Sequence, residues 1–269
     1  MRYHRLKLLR RLPHPDRGFT QGLIAEDGMV WESTGLYGES AIRRYPLGGD
    51  QVEDSAAVPP DLFGESICRV GAHLWQLTWR ERVALRWDPW SLTLLETIRY
   101  NREGWGICTV GPYVLTSDGS SELVRRDPQT LAPLGVIVVR CGGQRVGGLN
   151  DLAWAGGRVW ANILPRSYLA GIDVASGEVV DIVDARPATE RHRGDPEALL
   201  NGITPLPGVP GADGGGEDGG GEKGGGGGCG GGGIAAAEFL LTGKHWRHLY
   251  HVRLVEGSSR KEPIRLLTG

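Results

Sequence analysis

Glu65 sits in the run Phe63-Gly64-Glu65, and five other short segments carry side chains that would build a reactive pocket around it. They are Phe19-Thr20-Gln21, Thr78-Trp79, Glu103-Gly104-Trp105, Asn150-Asp151 and Gly243-Lys244. A carboxyl group among aromatic walls loses its hydration, which disfavours the charged form and raises its pKa. Such a group can take and return a proton near neutral pH, an effect worth roughly 10²–10⁴-fold in rate. Aromatic walls with a few convergent polar groups are the usual make-up of a small-molecule site. Other chemistries lack their residues here. No Ser-His-Asp or Cys-His combination falls in these segments. His245, His248 and His251 come nearest, but they run from a loop into a strand without the spacing of metal ligands. Asp118 and Asp151 stand at strand ends, where turn hydrogen bonding is the expected role.

What must bring these segments together is a repeat. Short apolar runs alternate with turn signals throughout, and no long 3.6-residue period appears. One family of strands is MVWEST (29–34), HLWQLTW (73–79), YVLTSD (113–118), RVWANI (158–163) and EFLLTGK (238–244). A second family precedes it: TQGLIA, GESICRV, GWGICTV, LNDLAWA and LNGITPL. A third follows, with Asp-Pro or glycine turns that mark outer hairpins. Five copies at intervals of about 40–46 residues, outside one glycine-rich interruption, predict an all-β fold, a five-bladed β-propeller. A β-sandwich has no reason to repeat its turn chemistry at this interval. The early strand YHRLKLLRRL is expected to pair with the last blade and close the ring.

In such a ring the start of the first strand and the end of the second meet at one rim in every blade. Ten segments then aim at one mouth of the channel: those above, Glu32 to Thr34, Ser117-Asp118, Asn162 to Leu164 and Asn201 among them. Trp31, Trp75 and Trp160 recur at one mid-strand position, which predicts packing between blades rather than chemistry. Cys68 and Cys108 are likewise equivalent to each other.

Residues 1–269 read as one propeller domain, interrupted at 208–233 by a disordered glycine-rich insertion in the inner hairpin of the fifth blade. Lys and Arg number 30 against 32 Asp and Glu, a net charge of −2, with no basic stripe. Neither nucleic acid nor a membrane is an expected partner, since no apolar run approaches the ~18 residues of a span. Four cysteines without a CxxC pair make no disulfide scaffold. The first residues, MRYHRLKLLRRLPHP, are basic and lack the apolar core of a secretory signal, which reads as cytoplasmic.

Ten motifs in order resemble one family, the plant-type and bacterial glutaminyl-peptide cyclotransferases. They are FTQGL (19–23), ESTGLYGES (32–40), FGESI (63–67), LTWRE (77–81), EGWGI (103–107), SDGS (117–120), LND (149–151), VWAN (159–162), LNGI (200–203) and LTGKHW (241–246). The resemblance implies a five-bladed propeller that closes the N-terminal glutamine of peptides or proteins to pyroglutamate and releases ammonia. It implies Glu65 as the proton shuttle, Trp79 and Trp105 as walls with Phe19 and Phe63 beside them, and Gln21, Asn150 and Lys244 as groups that hold the amide or its oxyanion. No cofactor and no metal are implied, and a monomer is expected. Family habit points to secretion or the periplasm, against the missing signal. Three positions depart from the family pattern: Leu164 stands where an aromatic wall is usual, Ser66 follows Glu65 in place of glycine, and Ala153 replaces a frequent glutamate. These departures motivate an alternative, a weakened or inactive propeller that binds peptide N-termini or another small ligand. A metal-dependent hydrolase of the gluconolactonase type would need several ligands converging on one ion.

Overall fold

The computed structural model describes residues 1–192, 194–206, 237–258 and 263–268. After a long first strand, β1 (Arg2–Pro13), the chain lays down antiparallel meanders. Blade one is β2 (Thr20–Glu26), β3 (Met29–Thr34), β4 (Ala41–Pro46) and β5 (Asp54–Ala57). Blade two is β6 (Gly64–Val70), β7 (His73–Thr78), β8 (Val83–Trp87) and β9 (Leu94–Arg99). Blade three is β10 (Gly106–Val110), β11 (Tyr113–Ser117), β12 (Glu122–Arg126) and β13 (Pro133–Val138). A small ladder of β14 (Arg140–Cys141) and β15 (Gln144–Arg145) follows, which the repeat did not foretell. Blade four is β16 (Leu149–Ala155), β17 (Arg158–Ile163), β18 (Tyr168–Ile172) and β19 (Val179–Asp184). Blade five has β20 (Leu200–Pro205), β21 (Glu238–Gly243) and β22 (His248–Glu256). Two short helices, α1 (Arg186–Thr189) and α2 (Pro263–Thr268), and two 3-10 turns, Pro15–Arg17 and Glu190–His192, complete the described elements.

The innermost strands β2, β6, β10, β16 and β20 touch in turn, and β20 returns to β2. This is a five-bladed propeller. β1 supplies the fourth strand of blade five, running antiparallel to β22 from His4 opposite Glu256 to Pro13 opposite His248. Its first residues also lie parallel to β19, with Arg2 opposite Asp181, so blades four and five share one eight-stranded sheet. The ring is therefore closed by the start of the chain, as expected.

Local chemistry explains the repeated outer turns. The Asp88 carboxylate accepts from the backbone N–H groups of Trp90 and Ser91, and Asp127 accepts from those of Gln129 and Thr130. Each aspartate thus turns its own chain. The core lies between blades rather than within them, as five apolar clusters arranged round the ring. The recurring tryptophans sit in these seams. Trp31 donates its indole N–H to the Pro89 carbonyl of the next blade at 2.7 Å, and Trp75 does the same to Pro128 at 2.9 Å. Trp160 packs its ring on Phe239 of blade five, with centroids 5.5 Å apart. Cys68 and Cys108 are both buried thiols. The glycine-rich insertion expected at 208–233, and Cys229 within it, lie outside the described residues. The strands on either side, β20 and β21, pair antiparallel, with Leu200 opposite Gly243 and Pro205 opposite Phe239.

Candidate active site

Four of the five inner strands carry a β-bulge at their first residues. The register shifts between Thr20 and Gly22, Gly64 and Ile67, Leu149 and Leu152, and Leu200 and Ile203. A bulge adds an unpaired residue and re-aims its side chain. The residues inside these bulges include Gln21, Glu65, Asn150 and Asn201. Blade three has no such shift, and it contributes the residue before its strand, Trp105.

The result is one cavity of about 260 Å³ lined by Phe19, Gln21, Phe63, Glu65, Trp79, Trp105, Asn150, Leu164 and Lys244. The eight side chains to which the family resemblance gives a role meet there, together with Leu164. Three of the aromatic residues form a connected wall: Phe19 meets Phe63 edge-on at 6.2 Å, and Phe63 meets Trp79 at 5.5 Å. Two glycines give these rings room. A Cβ on Gly35 would lie 2.4 Å from the Phe63 ring, and one on Gly119 would lie 2.7 Å from Trp105. Tyr37 reinforces the wall from outside, stacking edge-on against Phe63 and donating its hydroxyl to Glu81.

Glu65 is 6% exposed. Burial pushes its carboxyl well above the usual range, Asp151, Glu81 and Glu103 push the same way, and only Lys244 opposes them. Burial in turn lowers the Lys244 ammonium, with Glu65 holding its charge in place. The ammonium also stands 4.7 Å from the centre of the Phe19 ring, a cation–π contact. Carboxyl and amine are thereby brought toward each other in proton affinity. The amides are oriented too. Asn201 donates from its side chain to Gln21 Oε1, which leaves the Gln21 NH2 group as the end free to donate. Asn150 is buried with Oδ1 unpartnered. A buried amide oxygen beside a cavity is an acceptor for a ligand N–H.

Three expectations need adjusting. Glu32 does not face the mouth: it is fully buried, accepting from Thr20, Arg43 and Tyr45 and paired with His14 at 3.0 Å. Asp151 is not a strand-end turn group. Its oxygens accept from the Ser66 hydroxyl, from the backbone N–H of its neighbour Leu152 and from that of Ile203 in the next blade. Asp118 does turn its own chain, accepting from Ser120, and it also pairs with Arg102 at 2.9 Å. Asn201 is the residue whose part was underrated. Its partner Gln21 lies 180 positions away, so only ring closure reveals the contact.

A larger opening of about 460 Å³ lies at the other ends of the inner strands, between Glu26, Arg69, Thr109, Trp154 and Pro205. Its charged members are Glu26, Asp27 and Arg69, of which Arg69 and Glu26 pair with each other, and no carboxylate-and-amide set converges there. Among the described residues no group of three or more His, Cys, Asp or Glu side chains is disposed to hold a metal ion.

Known proteins resemble this chain in sequence and in fold. A family model described as glutamine cyclotransferase matches residues 1–209. A protein of Arabidopsis thaliana named glutaminyl-peptide cyclotransferase is 28% identical over 96% of this chain and 74% of its own length. The crystal structure of Myxococcus xanthus glutaminyl cyclase aligns with a TM-score of 0.80 and 31% identity, covering 96% of this chain and 99% of that one.

Proposed function

The chain belongs to the glutamine cyclotransferase family, and we propose that Glu65 carries the proton in the family's reaction. The protein is a glutaminyl-peptide cyclotransferase, an acyltransferase. Its substrate is a peptide with N-terminal glutamine. A cavity of about 260 Å³ falls below the ~300 Å³ at which drug-sized sites begin. That suits one terminal residue, with the rest of the peptide outside.

In the reaction the substrate's α-nitrogen bonds to Cδ of its own side chain, and the bond from Cδ to the carboxamide nitrogen breaks. Attack is intramolecular, so folding the chain into a reactive geometry supplies much of the acceleration. The aromatic wall of Phe19, Phe63, Trp79 and Trp105 enforces that fold and excludes water. One proton must leave the attacking amine, and one must reach the departing nitrogen so that it leaves as ammonia. Ionised Glu65 takes the first proton and then, as the acid, gives it to the leaving group. Its raised proton affinity strengthens it as the base of the first step. Lys244, which opposes that rise, keeps it ionised beforehand and able to give the proton up in the second. As the carbonyl oxygen gains charge, the Gln21 NH2 group and the Lys244 ammonium stabilise it. Asn150 Oδ1 accepts from a substrate N–H. The reaction as drawn needs no metal ion.

The observation that carries this reading is the convergence of a buried glutamate, a lysine, two amides and four aromatic rings on one cavity. Leu164 lines the cavity as an aliphatic member of an otherwise aromatic wall. The binding-only alternative that it motivated is not favoured. The test is ammonia release from a Gln-initiated dipeptide. Glu65→Gln should lower kcat by roughly 10²–10⁴-fold, and a chelator should leave the wild-type rate unchanged. A Glu65→Gln variant as fast as wild type would remove Glu65 from the mechanism.

A further inference from the structure

Directly beneath the cavity, one hydroxyl and one carboxylate link four blades. Ser66 is fully buried and donates its hydroxyl to Asp151 Oδ1, while the Ile107 N–H donates to the same Ser66 Oγ at 3.3 Å. The Ser66 N–H reaches the Trp105 carbonyl at 3.3 Å. Asp151, 1% exposed, accepts from the Ile203 N–H through its other oxygen at 2.8 Å. Blades two and four are not neighbours in the ring, so the Ser66–Asp151 bond crosses the channel. Each partner sits in a bulge beside a cavity residue, Ser66 next to Glu65 and Asp151 next to Asn150.

We infer that Ser66 and Asp151 are positioning residues for the proton carrier: their bond pins the two bulges that aim Glu65 and Asn150, and it holds a carboxylate beside Glu65. This rests on the reading of Glu65 given above. Bulged residues lack ladder hydrogen bonds of their own, so ties from outside the ladder fix where they point. The Ser33 hydroxyl donates to the Glu65 carbonyl and the Ser117 hydroxyl to the Asn150 carbonyl, and the Ser66–Asp151 bond joins the two bulges to each other. The charged groups facing Glu65 are few and come from different elements: Lys244 after β21, Asp151 on β16, Glu81 after β7 and Glu103 before β10. Asp151 is the one of the three acids that is fully buried and bonded to Glu65's own neighbour. Burial raises Asp151 itself to about 7, against the pull of the hydroxyl and the two N–H groups that it accepts from. Its charge is thus available near neutral pH only while those donors are in place.

The test is the pH dependence of kcat for a Gln-initiated dipeptide, measured on wild type, Asp151→Asn, Ser66→Ala and Glu65→Gln. Asp151→Asn removes the negative charge, so Glu65 loses its proton more readily. The acid limb of kcat should then move to lower pH, with kcat down several-fold and KM little changed. Ser66→Ala removes a donor to Asp151, which makes that carboxylate easier to neutralise, and should shift the limb the same way by less. It also keeps the inference testable if Asp151→Asn does not fold. Titration of the Glu65 carboxyl by 13C NMR without substrate should show the same direction. An acid limb unmoved in the folded variants, with Glu65→Gln inactive, overturns the inference and leaves the proton-carrier reading standing. Lost activity that tracks lost stability, with no shift of the limb, overturns it as well. A Glu65→Gln variant at wild-type rate defeats the parent reading instead.

Discussion

Glu32 and Glu65 are two buried glutamates in adjacent blades, and their surroundings send them in opposite directions. Burial alone would raise both. Around Glu32 the facing His14 and Arg43, with the Thr20 hydroxyl, outweigh burial and hold the carboxyl well below the usual range. Around Glu65 only Lys244 opposes burial, and three acids support it. One is therefore built to stay charged and hold structure, the other to change state. A carboxyl whose folded pKa is depressed contributes stability that is present above its unfolded pKa, about 4.3 for glutamate. That contribution is lost as pH falls through the folded pKa. Glu32→Gln leaves Arg43 buried without its partner, so stability at pH 7 should fall by about 3–5 kcal/mol. The variant should also lose less than wild type on acidification below about pH 4. Urea midpoints at pH 7 and pH 3 check both, and equal acid losses in the two proteins would rule out Glu32 as a source of acid sensitivity. Residue type alone did not separate these two glutamates. Glu65 was legible because aromatic residues flank it in several repeats, whereas the partners of Glu32 at positions 14 and 43 belong to no shared motif.

At the scale of the element, what the sequence carries is period and turn chemistry. Both are local, and the strand bounds follow them closely: MVWEST and RVWANI coincide with β3 and β17. The bulges are not local. A bulge is a count of residues against a partner strand, and Phe63-Gly64-Glu65-Ser66 would suit a regular strand equally well until β7 is set beside it. The inter-blade seams lie between these extremes. Recurrence of Trp31 and Trp75 at one position signalled packing, but not that each indole N–H would cap the Asp-Pro turn of the following blade. That bond gives a prediction. Trp75→Phe keeps most of the buried ring and leaves the Pro128 carbonyl without its donor, at a cost of about 1–3 kcal/mol. Tm should drop by several degrees while kcat/KM stays at the wild-type value, because Trp75 does not line the cavity. An unchanged Tm would show that the seam is held by apolar packing alone.

Across the whole molecule, the two ends of the channel have separate assignments. The chemistry occupies the mouth where Leu200 pairs with Gly243, one residue before Lys244. The opposite ends of the same two strands, Pro205 and Phe239, point away from it, and Pro205 lines the far opening. The ends of β20 and β21 that flank the connection with the glycine tract therefore lie at the rim remote from Glu65. Blade five does not depend on that connection for its register. β21 is held by β22 on its other side, β22 is held by β1, and β1 is held by β19 of the neighbouring blade. Chain-closure entropy changes slowly with length, about 0.6 kcal/mol per doubling, so shortening the connection alters stability little. Deleting residues 211–232 should then leave kcat and KM for a Gln-initiated dipeptide within about two-fold of wild type and Tm unchanged or slightly higher. A folded deletion variant with a raised KM would mean that the connection reaches round to the mouth that binds substrate. One with normal KM and a lowered Tm would mean that it supports the far rim instead. The ring predicts neither, because every residue that lines the cavity is placed by strands or turns at the other end of the blades.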